Sequence, residues 1–67
     1  MIIDLRQAII NRVKNKTEDE LLDVINSSIG GDDKALPGLG VLFEIIWEHL
    51  PQPMQQELVN TLRTSLE

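Results

Sequence analysis

The chain has 67 residues, 42% of them hydrophobic, and its six basic and eleven acidic side chains give a formal net charge of −5. A chain this short forms at most one domain and buries only about 60% of its unfolded surface, so a lone copy would be marginally stable. Because cysteine is absent, disulfides, thiolate metal sites and cysteine nucleophiles are excluded, and the acidic balance disfavours a general phosphate-binding surface.

The first predicted helix covers about residues 4–15 and carries an apolar stripe along one side. Its members recur at helical spacing: Ile2, Leu5, Ile9 and Val13, widened by Ile3 and Ile10. Arg6 rises from this apolar side, since its neighbours one turn away are isoleucines. Such an arginine commonly lays its stem along the core and keeps its head at the rim. The sharper alternative is a buried ion pair with Glu44 or Glu48 on the central helix.

A capping box predicts the start of the second helix, over about residues 17–29. In Thr17-Glu18-Asp19-Glu20, the Thr17 hydroxyl can accept from the Glu20 amide while the Glu20 carboxylate reaches back to the Thr17 amide. Three acidic residues in this first turn also suit the positive end of the helix dipole. Gly30-Gly31 predicts the end, because glycine readily adopts the left-handed conformation that closes a helix.

The third predicted helix, about residues 37–50, is apolar over most of its circumference. Only Glu44 and Glu48 mark a polar side, so the helix must be covered on several sides by the rest of the chain or by another chain. Pro37 is tolerated in the first turn. Gly38 and Gly40 lower helix propensity there, which favours close packing of another backbone against them.

Prolines at positions 51 and 53 break this helix and predict a fourth one over about residues 53–66. Its apolar residues occupy one arc, so we expect it to cover one face of the third helix. The predicted fold is therefore all-α: a single domain, residues 1–67, built as a small four-helix bundle around a hydrophobic third helix. No run approaches the roughly 18 apolar residues of a membrane span, and the start lacks the basic region of a secretory signal.

No constellation of residues in the sequence points to a chemistry. His49 is the one histidine, and near a helix end it is expected to bond the last free carbonyls. No nucleophile elbow or metal-spaced cluster accompanies it. We therefore assign no catalytic, cofactor-binding or metal-binding residue, expect no enzyme activity, and find no small-molecule substrate implied.

Two binding functions remain from the residues alone. Val41, Ile45 and Trp47 flank the stripe that the other helices most directly cover, so they are candidates for a self-association or partner surface; the alternative is that all three are buried within one chain. A nucleic-acid interface would instead use the basic residues of the first segment, Arg6, Arg12, Lys14 and Lys16. These four form no compact stripe on a helical wheel and no aromatic residue is interleaved with them, so nucleic-acid binding is not expected.

At LPGLGVLFEIIW, residues 36–47, the sequence resembles the small acid-soluble spore protein I family of endospore-forming Firmicutes. The similarity includes Phe43, Glu44 and Trp47 and extends to the opening DLRQAI, the acid-rich second segment and the overall length. The resemblance implies a minor protein of the spore core, made in the developing forespore, without an established enzymatic activity. The partner would be a second copy or another spore protein. A protective, regulatory or storage role stays open.

DNA binding does not follow from this resemblance. The major spore proteins of the α/β type coat DNA, but their glycine-rich basic segment and their protease cleavage sequence are absent from this chain. A nucleic-acid-associated spore protein using the basic first helix is therefore the secondary hypothesis. The primary hypothesis is a structural or protein-interaction module.

Overall fold

The computed structural model describes residues 4–67, which contain four α-helices and no strand. In chain order these are α1 Leu5–Val13, α2 Glu18–Ser28, α3 Leu36–His49 and α4 Gln52–Leu66, with a short 3-10 turn, Asp33–Ala35, leading into α3. The predicted all-α class is confirmed, and each helix boundary lies within two residues of its predicted position. The predicted apolar contributions of Ile2 and Ile3 lie outside the described residues.

Local capping explains the starts of α1 and α2 and the end of α2. The Asp4 side chain accepts the amide of Arg6 at 3.0 Å, which begins α1. At the start of α2, the Glu20 amide donates to the Thr17 hydroxyl at 3.3 Å and the Thr17 amide donates to the Glu20 carboxylate at 3.1 Å. The predicted capping box is thus confirmed. Gly30, with a φ of 73°, closes the region after α2 in the left-handed conformation.

α3 is the helix around which the others are placed, since α1, α2 and the 3-10 turn all contact it. Val41 of α3 is the buried hydrophobic residue of the described chain, with 8% of its surface exposed. Next to it, an apolar groove of about 300 Å³ runs between α1, α2 and α3, with Leu42 and Ile45 in its lining. The inner side of α3 is therefore the side that carries Val41 and Ile45.

α4 leaves α3 at the proline break and shields it less than predicted. The Gln55 side-chain amide donates to the Trp47 carbonyl at 2.8 Å and so ties the first turn of α4 to the end of α3. Beyond that tie the apolar residues of α4 remain open to solvent. The expectation that α4 covers one face of α3 is wrong for most of its length.

The chain as a whole is more open than a folded monomer of its mass. Its accessible surface is 5971 Å², whereas the scaling law for folded monomers gives about 4,300 Å² for 7.6 kDa. Its radius of gyration is 13.5 Å, against about 11 Å for a compact 67-residue domain. None of the helices within residues 4–67 is long and apolar enough to cross a membrane.

Candidate functional site

A line of apolar and small residues, exposed except for the half-buried Trp47, runs along the side of α3 that faces away from the core. Its members are spaced by four, three and four positions, which places them on one face of a helix. We call this line the α3 outer stripe: Leu36, Gly40, Phe43 and Trp47. Leu36 is 59% exposed and Phe43 is 52% exposed. The Phe43 and Trp47 rings lie 5.7 Å apart between centroids, an aromatic pair that gives the stripe a rigid end.

The α3 outer stripe lies opposite the residues that α3 uses inside the chain. At about 100° per residue, Val41 and Ile45 project roughly 130° and 170° from the centre of the stripe. α3 therefore has two apolar faces. One packs against α1 and α2, and the other faces solvent.

A second exposed line follows α4 at helical spacing. We call it the α4 stripe: Met54, Leu58, Val59, Leu62 and Leu66. Each of these side chains is at least 37% exposed, and Leu66 reaches 77%. Polar residues occupy the opposite side of the helix, so the stripe is a clear amphipathic face without cover in the described chain.

The two stripes meet at an open groove of about 430 Å³ between α3 and α4. Phe43 and Trp47 lie along one wall, Val59 and Leu62 lie along the other, and the carboxylates of Glu44 and Glu48 also line the groove. The Gln55–Trp47 hydrogen bond joins the two helices at one end of this groove. We refer to the two stripes with this groove as the apolar surface.

Gly40 lies in the middle of the α3 outer stripe, and nothing within the chain requires a glycine there. A Cβ added at Gly40 or at Gly38 would meet no atom within 4 Å, and neither residue has a positive φ. The predicted close approach of another backbone to these glycines is therefore wrong within the described chain. Each still lowers helix stability by about 1 kcal/mol relative to alanine.

Arg6 and Glu44 form the predicted ion pair, but the pair is not buried. Arg6 Nη2 donates to both Glu44 oxygens at 3.0 Å, and Nε donates to Oε1 at 3.2 Å. The two side chains are 61% and 45% exposed, because the inner face of α3 is filled by aliphatic residues and the pair lies at its rim. The hydrogen bond and charge of Glu44 raise the pKa of the Arg6 guanidinium, and the charges of Asp4 and Glu48 add smaller effects in the same direction. Glu48 makes no hydrogen bond to Arg6 within residues 4–67.

The three residues predicted to form a partner surface lie in different environments. Val41 is buried against the chain's own helices, so its place on an exposed surface is wrong. Ile45 is half-buried and lines the inner groove between α1, α2 and α3. Trp47 alone of the three lies on the apolar surface. The sequence analysis did not identify Leu36 and Phe43 as exposed, because apolar residues cover most of the α3 circumference, and it predicted the apolar arc of α4 but not its exposure.

The polar groups of the described residues form no other candidate site. The His49 Nδ1 lies 2.7 Å from the Ile45 carbonyl and donates to it, which is the predicted bond to the last turn of a helix. No group of three or more histidine, aspartate or glutamate side chains within residues 4–67 is placed to hold a metal ion. Of the four basic residues of the nucleic-acid hypothesis, Arg6 is paired with Glu44.

Comparison with known proteins identifies relatives over the whole chain. The family model described as "Small, acid-soluble spore protein I" matches residues 3–66. Proteins of that name from Geobacillus sp. (strain WCH70) and Bacillus licheniformis are each 41% identical across 100% of this chain and cover 96% and 97% of their own lengths. The protein of that name from Bacillus cereus (strain AH187) is 40% identical across all of this chain and 99% of its own length. No solved structure matches the chain significantly.

Proposed function

The chain belongs to the small, acid-soluble spore protein I family, and on that premise we propose that it is a non-enzymatic structural or interaction protein of the spore core. Its membership of the family makes it a spore protein. Its function is to bind another protein through the apolar surface. The residues that carry this binding are those of the α3 outer stripe and the α4 stripe.

One observation carries the proposal: the chain exposes about 1,700 Å² more surface than a compact monomer of its mass. Large apolar side chains on two neighbouring helices contribute to that excess, and contiguous exposed apolar patches of this kind mark interaction sites. Phe43 and Trp47 at the centre of the patch are the residue types that most often anchor protein interfaces.

The chemistry of the apolar surface favours a protein partner over nucleic acid. Its charged neighbours are the carboxylates of Glu44 and Glu48, whereas phosphate binding requires clustered lysine and arginine. The nucleic-acid hypothesis therefore depends on a different region, around Arg12, Lys14 and Lys16. Among residues 4–67, no specific contact or cluster favours that region as an interface.

Site-specific photo-crosslinking in sporulating cells tests the proposal. A photoreactive residue at Phe43, which is 52% exposed on the apolar surface, should give discrete protein adducts in the spore-core fraction. Leu22, which is 58% exposed on α2 outside that surface, is the matched control and should give none. Identical adducts from both positions, or none from Phe43, would contradict the proposal. Adducts to nucleic acid from Lys14 but not from Phe43 would favour the secondary hypothesis.

A further inference from the structure

We propose that the occupant of the apolar surface is a second copy of this chain, with the α4 stripe of each copy lying on the α3 outer stripe of the other. The inference rests on the proposed interaction function and names its partner. It goes further in assigning complementary roles to the two stripes: the α3 outer stripe receives a helix, and the α4 stripe supplies one.

The exposed area fits a dimer. A standard interface buries about 800 Å² on each partner, and the total surface of the whole chain exceeds the expectation for a compact monomer by about 1,700 Å², which is enough to supply that area. Two reciprocal helix-on-helix contacts would cover both stripes of both copies. A single foreign helix in the groove would leave most of one stripe in water.

The two stripes also match each other in length. At about 1.5 Å per residue, the α3 outer stripe from Leu36 to Trp47 is roughly 17 Å long, and the α4 stripe from Met54 to Leu66 is roughly 18 Å long. Each chain therefore carries both a receiving face and a supplying face of the same extent. A twofold axis relates the two contacts and closes the assembly at two chains.

Gly40 has a role in this arrangement that it lacks within one chain. Apart from the neighbouring backbone of its own helix, no atom lies within 4 Å of where its Cβ would be, so its missing side chain leaves a shallow depression in the middle of the α3 outer stripe. Glycine permits another backbone to approach a helix closely. A leucine of the partner's α4 stripe can enter this depression between Leu36 and Phe43, as a side-chain ridge enters a groove.

Charge distinguishes a second copy from a foreign partner. Each chain has a formal charge of −5, so two copies repel and added salt should strengthen their association by screening that repulsion. A basic partner protein attracted to the same surface would show the opposite salt dependence.

Sedimentation equilibrium of the purified full chain, from low to high micromolar concentration, tests the inference. The mass should rise from 7.6 kDa towards twice that value, and the transition should move to lower concentration when salt is added. Phe43→Asp and Leu62→Asp should each weaken the association about tenfold or more, because each places a charge within the apolar contact. Leu22→Asp adds the same charge at a 58% exposed position of α2 and should leave the strength of the association unchanged. Circular dichroism at low concentration shows that each variant keeps its helices.

Engineered cysteines test which helix meets which, and the natural chain has none to interfere. Separately purified Gly40→Cys and Leu58→Cys chains, mixed and oxidised, should form mainly the mixed disulfide. Leu58→Cys pairing mainly with itself would overturn the placement of α4 on α3.

Three outcomes of the sedimentation experiment overturn the self-association. These are a monomer at all concentrations, equal weakening by all three aspartate variants, and growth beyond two chains. If the chain is a monomer in isolation but Phe43 still crosslinks to a different spore protein in cells, the inference fails while the proposed interaction function stands.

Discussion

Replacing Gly40 with alanine should stabilise the monomer while weakening the association, and the structure sets the size of the first effect. The residue lies in the second turn of α3 without a positive φ, and an added Cβ meets no atom within 4 Å. The substitution therefore removes the helix penalty of glycine without introducing a clash. We expect a gain of about 0.8–1 kcal/mol in the free energy of unfolding.

Urea denaturation followed by circular dichroism at submicromolar concentration measures this gain. With an m value of about 1 kcal/mol/M, typical of a small domain, the midpoint should rise by roughly 1 M. At high concentration the same variant should gain less, because the added methyl occupies the depression assigned to the partner.

Gly30→Ala is the internal control for the assay. Gly30 has a φ of 73° and also has no atom within 4 Å of its Cβ position, so alanine there is strained although there is space for it. This variant should lose about 1 kcal/mol or more. A loss of monomer stability in Gly40→Ala would refute the reasoning, since it would mean that the space around Gly40 is filled within the chain.

Three further predictions concern the core, the cap and the ion pair. Val41→Ala removes two buried methyl groups and should lower the free energy of unfolding by about 2 kcal/mol at every protein concentration. Thermal unfolding measures this loss. A smaller loss than that of Leu22→Ala would mean that Val41 is not the centre of the core. The hydrogen bonds from the Thr17 amide and hydroxyl lower the pKa of Glu20. The stability that these bonds contribute is therefore fully present above the pKa of Glu20 in the unfolded chain, and it is lost as pH falls through the lowered pKa of Glu20 in the folded chain. Glu20→Gln should flatten the stability–pH curve in that acidic range, and an unchanged curve would contradict the cap's role. Arg6→Met should lower stability slightly at low salt and not at high salt, because the pair with Glu44 is exposed; a loss that persists at high salt would show that the arginine acts through packing instead.

Local signals in the sequence were sufficient to predict the helices. Thr17 and Glu20 specify a helix start through two reciprocal hydrogen bonds, and the prolines at 51 and 53 specify a break, because each of these effects acts within one turn of chain. The pairing of Arg6 with Glu44 also followed from sequence, since few partners exist for a charge on an apolar face. Its exposure did not follow, because burial depends on how far the pair lies from the helix contact.

The orientation of α3 could not be obtained from sequence. Apolar residues occupy most of its circumference, so amphipathicity does not select an inner face. The prediction placed Val41 outward, whereas α1 and α2 cover that side and leave Phe43 exposed. The angle between α3 and α4 could not be predicted from the sequence either. Periodicity identifies an apolar stripe but does not say which element covers it.

Trp47 provides the most direct test of the central claim, that the apolar surface is covered by a second copy of this chain. It is the single tryptophan of the sequence and lies half-buried at the end of the α3 outer stripe, so its fluorescence responds to a chain that covers that surface. The account predicts that acrylamide quenching of Trp47 falls as protein concentration rises, and that Leu62→Asp abolishes this protection while Leu22→Asp preserves it. Quenching that is independent of concentration in the natural chain would contradict the claim that a second copy covers this surface.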